Sequence, residues 1–259
     1  MMLESLQDRL EASYLVAELA TQIIMEESEV AAKLHYIKRT VTRARDSLAV
    51  EDAQRLRHFM LAPDTAKYFT GAAFNPHDGT YQAVAATNTD AQLSAITSYV
   101  AASSLVFAHS FLEFVLETLL RMTRLCDIGA WLPFISAKNI PISAALGSEL
   151  ESVVEAKLND FVAALHKEGL MDKIQHLAKL LKRSITTSSI INYTYEPKRL
   201  SGLDTLRHEL AHHRKKDYSI RTAEADITYL YRTAFHFLDL VVHTYDLYGA
   251  NRPKTTVGA

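Results

Sequence analysis

Glycine and proline, the residues that most readily interrupt a helix, number only 8 and 6 in 259. Interruptions this sparse predict long helices and argue against a loop-rich β-sandwich. The composition agrees, since 48% hydrophobic and 22% charged is ordinary for a globular chain. The length suffices to bury a core in one large domain or two small ones. A single cysteine, Cys126, excludes an internal disulfide framework and a four-cysteine zinc site. With 28 basic and 30 acidic residues the net charge is −2, so nucleic-acid binding over the whole surface is not expected and only a local patch stays open.

The N-terminal MMLESLQDRLEASYLVAELA carries acids among its apolar residues, unlike a signal peptide. No window reaches the roughly 18 apolar residues that a bilayer requires. The nearest approach, FLEFVLETLLRM, is interrupted by Glu113 and Glu117. The expectation is a cytoplasmic protein with no membrane contact.

Periodicity divides the chain further. Residues 2 to about 60 read as two helices. The first carries the stripe Leu6, Leu10, Tyr14, Ala17, Ile24; the second opens at Ser28 and carries Leu34, Ile37, Val41, Leu48. Pro63, Gly71, Pro76 and Gly79 mark the most interrupted stretch, 61–89, as a boundary. Thr89 and Gln92 read as a capping box opening a helix to Cys126, apolar nearly all round in its second half and so expected at the centre of a bundle. A connection over 127–148 and helices near 149–168 and 170–183 follow. The β-branched, hydroxyl-rich 184–200 reads as irregular, with room for a short strand. Ser201 with Asp204 reads as the cap of the next helix. Thr222 reads as the start of the last, with core face Ile227, Leu230, Tyr231, Ala234, Leu238, Val241, Val242, Tyr245 and a stop at Gly249. The predicted class is all-α, with an N-terminal helical region over 1–88, a helical domain over 89–250 and a disordered tail over 251–259.

Charge collects in one segment. Between 179 and 216 stand nine basic residues, Lys179, Lys182, Arg183, Lys198, Arg199, Arg207, Arg214, Lys215 and Lys216, against Glu196, Asp204 and Glu209. The segment is therefore +6 and the remainder of the chain −8. A local positive field suits a polyanion such as RNA. It also suits a solvated helix end, where cations complement the dipole.

The hexapeptide Arg207-His208-Glu209-Leu210-Ala211-His212 holds the densest chemistry and parses in two ways. As HExxH, His208 and His212 share a helix face and can ligate one zinc ion, with Glu209 as general base. Against this, His213, Arg214, Lys215 and Lys216 follow directly and would crowd a dication with cations. No later acid or histidine stands at a recognisable third-ligand spacing.

The other parse is an arginine, a polar residue beside it, and a histidine five positions beyond the arginine. It resembles the signature of the HEPN superfamily, the all-α and largely nucleolytic domains of toxin and defence systems. The motif's place before one long closing helix, and the apolar VFAHSFLEFVLETLLRM with its embedded Glu113, are similar to that family over about residues 90–250. The resemblance implies an HEPN-like helical bundle and a metal-independent endoribonuclease that needs no cofactor and cleaves RNA by attack of the ribose 2′-hydroxyl. It implies His212 as acid/base, Arg207 as phosphate clamp, His208 in support, and Glu113 as a hydrogen-bonding partner. Arg214, Lys215, Lys216, Lys198 and Arg199 would bind RNA. Histidine moves protons near neutral pH, and arginine's fork suits a phosphate gaining charge. On a helix, side chains five apart diverge by about 140°. The resemblance therefore also implies a homodimer that brings two motifs together, with an antitoxin or regulatory protein as a further partner.

Three readings stay open: the ribonuclease, a non-catalytic HEPN-like module binding RNA, nucleotide or protein, and a zinc hydrolase through His208 and His212. The alternative for the histidines is a solvent face paired with Glu209 or Asp204. Glu113 is equally readable as an acid paired with Arg121 or His109. Tyr229, Tyr231, Tyr245 and Tyr248 fit core packing, and His236 and His243 share one stripe. Cys126 lacks a partner histidine, so a nucleophilic role is not expected.

Overall fold

The structure, a computed structural model, describes residues 2–47, 79–134, 150–186, 193–212 and 218–247, with side chains over 7–43, 93–134, 152–186, 193–212 and 218–247. The fold is all-α, with no strand among the described residues. In chain order the helices are α1 (Met2–Ser47), α2 (Gly79–Cys126), α3 (Ile128–Trp131) with a 3₁₀ turn at Leu132–Phe134, α4 (Leu150–Leu165), α5 (Leu170–Leu181), α6 (Pro197–Ala211) and α7 (Ile220–Tyr245). The boundary proposed over 61–89 lies outside the described residues up to 78. So do Leu48, Tyr248, Gly249, the tail and the part of the expected connection beyond 134; the start of that connection instead forms α3 and the 3₁₀ turn.

Several boundaries differ from expectation, each for a local reason. α1 is one helix, not two: with no glycine or proline in it, Ser28 is carried in the interior rather than capping a second helix. α2 opens at Gly79, ten residues before Thr89, because the Ala-rich 80–88 contains no breaker. α6 opens at Pro197, whose fixed φ and missing N–H suit the first helical position, so Ser201 and Asp204 lie inside it. α7 is capped by Ser219, whose Oγ accepts the Thr222 N–H at 3.1 Å. The irregular segment closes where the Tyr195 N–H donates to the Thr186 carbonyl at 2.9 Å.

By length and composition the Leu93–Cys126 stretch of α2 is apolar enough to cross a membrane. The residues before Glu113 extend the apolar run beyond what FLEFVLETLLRM alone suggests.

Contacts group the residues into two compact units: Met1–Glu27, Phe107–Leu206 and Ile227–Ala259 in the first, Ser28–Val106 and Arg207–Asp226 in the second. In the first unit α2 supplies the buried Leu112, Val115, Leu116, Leu119 and Met122, and α7 the buried Tyr231, Phe237, Leu238, Val241 and Val242. This matches the core face expected of α7 except at Tyr245, which is only half-buried. α1 buries Ala12, Val16, Leu19 and Ile23 there, whereas the expected stripe of Leu10, Tyr14 and Ile24 is exposed. Phe111 tilts against Tyr231 at 5.7 Å between ring centroids. Trp131 Nε1 donates to Thr123 Oγ1 at 3.2 Å, docking α3 beside α2. Lys173, almost fully buried, is held by Glu117 Oε1 at 2.6 Å, and His166 Nδ1 meets the other oxygen of that carboxylate at 2.9 Å.

In the second unit α1 buries Val30, Leu34 and Val41, α2 buries Ala101 and Leu105, and α7 buries Ile220 and Ala223. Lys38 pairs with Glu224 at 3.3 Å. Ser98 Oγ donates to the Tyr218 carbonyl at 3.1 Å and accepts its N–H at 2.9 Å, fixing the backbone just ahead of α7.

Candidate functional site

The second unit holds the hexapeptide, on the last turn and a half of α6. Leu210 is buried and anchors this stretch. His208 and His212, four apart, share a face, are exposed, and approach edge to face with ring centroids 4.4 Å apart. The His212 N–H still donates to the His208 carbonyl at 3.2 Å, so the second ring is held at the helix end. Arg207 and Glu209 are half-buried. The Nε–H of Arg207 is buried with no acceptor among the described residues. An arginine in that state carries an unspent donor in its most confined part.

The backbone just ahead of α7 is fixed by a device that sequence reading missed. Tyr218, buried, bonds Ser98 through its backbone, and its hydroxyl donates to Asp226 Oδ2 at 2.9 Å. Burial, with the Asp226 charge behind it, pushes that phenol well above its ordinary range. The sequence signal was a lone aromatic between a charged run and a helix cap. His213, Arg214, Lys215 and Lys216, between the motif and Tyr218, lie outside the described residues.

Glu113 belongs to the first unit. Its Oε1 stands 3.5 Å from His109 Nδ1, so the His109 pairing is the one realised. Arg121 instead meets Glu11 at 3.1 Å. The other ring nitrogen of His109, Nε2, lies 3.0 Å from Asp204 Oδ1. Asp204 therefore serves neither as a cap nor as the anchor suggested for the motif histidines. One imidazole on α2, fully buried, thus faces two carboxylates, one a turn along its own helix and one on α6.

Of the expected RNA-binding residues, Lys198 and Arg199 are exposed on the first turn of α6, in the first unit. The Arg199 guanidinium lies 4.2 Å over the Tyr229 ring. The Tyr229 hydroxyl donates to the Glu196 carbonyl at 2.9 Å and accepts its N–H at 3.3 Å, so the aromatic platform is itself fixed. Lys179, Lys182 and Arg183 are exposed at the end of α5, in the same unit.

The remaining candidates resolve as structural. His236 is buried among Tyr193, Tyr195 and Phe237, and its Nε2 donates to the Ile185 carbonyl at 2.6 Å. Burial holds this imidazole below the usual histidine range. His243 is exposed, off the stripe that buries His236. Cys126 has its thiol pushed up to about 11, chiefly by burial, which makes it a poor nucleophile at neutral pH. For the zinc parse, no third His, Cys, Asp or Glu donor converges on His208 and His212 among the described residues.

No family model, no curated protein and no solved structure matches the chain.

Proposed function

We propose that this chain is a metal-independent endoribonuclease of HEPN type, acting in the cytoplasm as a homodimer in a toxin or antiviral setting. The observation that carries the reading is the motif's division of labour. Two exposed imidazoles sit ring to ring at the end of α6, beside a half-buried arginine whose Nε–H has no acceptor among the described residues. Such a pair supplies a proton acceptor and donor at one spot, and a confined guanidinium supplies a cation that need not be ordered on binding.

In the proposed reaction, His212 accepts the proton of a ribose 2′-hydroxyl, and the 2′-oxygen attacks the adjacent phosphorus. The bond to the 5′-oxygen breaks, and that oxygen leaves with a proton from a histidine, in the same chain or its partner. The products are a 2′,3′-cyclic phosphate and a 5′-hydroxyl, with no redox change and no cofactor. Arg207 holds the non-bridging phosphate oxygens as charge builds there. Arg207 and His212 diverge around the helix, so the dimer brings the arginine of one copy to the histidine of the other; closed two-fold pairing is the commonest arrangement of identical chains. Lys198 and Arg199 contribute to the RNA path.

A substitution series with a defined RNA tests this. Arg207→Ala and His212→Ala are expected to lower the cleavage rate by about 10²–10⁴-fold, the span of a lost acid/base or charge-stabilising group. Glu209→Gln is expected to leave it within a few-fold of wild type. A rate that collapses with Glu209→Gln and survives Arg207→Ala would instead assign the hexapeptide to zinc hydrolysis.

A further inference from the structure

We infer that His109, Glu113 and Asp204 bind a divalent cation of the zinc or manganese class. The three offer one imidazole nitrogen and two carboxylate oxygens, and these donor atoms lie within 4.8 Å of one another. A bound ion of this class sits about 2.0–2.2 Å from each donor, so modest closure of the two carboxylates supplies three of its ligands and leaves the remainder to water. Their side chains are free to make it, being 29% and 41% exposed. The imidazole is fully buried and fixed by packing. One rigid donor and two adaptable ones reached from solvent give the site both a template and an entry path.

Charge points the same way. A neutral imidazole has a single N–H and satisfies one carboxylate; toward the other it presents a lone pair. Here one carboxylate oxygen lies 3.5 Å from one ring nitrogen and another lies 3.0 Å from the other, so two negative charges gather around one imidazole. A divalent ion neutralises both carboxylates and uses the imidazole lone pair. The mixed nitrogen and oxygen set favours zinc or manganese over magnesium or calcium, which prefer all-oxygen shells. The ion would brace α2 against α6 within the first unit. It takes no part in the proposed cleavage, and the inference does not depend on that reading.

The test is calorimetric titration of the chelator-stripped full chain with Zn²⁺ and, separately, Mn²⁺ at neutral pH, with thermal unfolding followed in parallel. A single saturable ion per chain and a raised unfolding midpoint are expected. Asp204→Asn, which keeps shape and removes charge at a partly exposed position, and His109→Gln are each expected to weaken binding by at least about 10–100-fold. Far-UV circular dichroism establishes that both variants are folded. The double variant His208→Ala His212→Ala is expected to bind as wild type, separating this site from the motif. The inference is overturned if neither ion saturates the chain at millimolar concentration, if Asp204→Asn binds like wild type, or if binding disappears with His208 and His212.

Discussion

Arg207 differs from the histidines beside it in how it is held. His208 and His212 are exposed on the helix end, while Arg207 is half-buried and keeps a buried Nε–H without an acceptor among the described residues. The hexapeptide was legible from spacing alone, because residues four apart on a helix must meet, and the 4.4 Å ring contact realises it. The contact of His109 with Asp204 was not legible. A histidine in an apolar helix announces that it needs a partner, and the near one, Glu113, is visible four residues on; the far one depends on how α6 packs. Cys126 was readable as inert from its lack of a histidine neighbour, and burial supplies the physical reason. Its thiol is raised from 9.0 to about 11, so the reactive thiolate is about a hundredfold scarcer near pH 8 than for the free group. Modification by a disulfide reagent is predicted to be slower by that order in the native chain than in denaturant. The sign also sets a stability trend: between about pH 9 and 11 the folded chain keeps a proton the unfolded chain releases, so this contribution to stability is lost as pH rises. Equal reaction rates in the two states would contradict the burial of Cys126.

Within the elements, helical class was legible in the sequence while helix number and helix ends were not. α1 shows why. Leu10, Tyr14 and Ile24 and the alternative Ala12, Val16, Leu19 and Ile23 both recur at helical spacing, and periodicity cannot choose between them. The second stripe is wholly aliphatic and packs closely; the first includes a tyrosine with a polar tip and is left exposed. Helix starts fail for a related reason, since a cap is set by the backbone that precedes it. Thr222 and Ser219 are both plausible caps of α7, and it is Ser219 that accepts an amide of the first turn. Ser219→Ala is therefore predicted to destabilise the chain by about 1 kcal/mol in chemical denaturation. No loss at Ser219 would place the true start of α7 elsewhere.

At the scale of the whole molecule, a net charge of −2 conceals a basic segment of +6. Lys198 and Arg199 are exposed at the start of α6, with Arg199 seated on the Tyr229 ring. If both meet phosphates of single-stranded RNA, the double variant Lys198→Ala Arg199→Ala should flatten the dependence of log affinity on log salt by about 1.4. An unchanged slope would remove these two from the RNA path. The fold class was legible because so few glycines and prolines leave a chain little but helices to form. The two units were not, since their borders fall inside α1, α2, α6 and α7 rather than in loops. Whether the chain is a ribonuclease is decided by cleavage of total RNA by the purified chain in excess EDTA, with the 3′ ends identified and an Arg207→Ala His212→Ala control alongside. Wild type alone is expected to cleave, leaving 2′,3′-cyclic phosphate ends. An intact RNA pool, or cleavage that persists in the control, would contradict it.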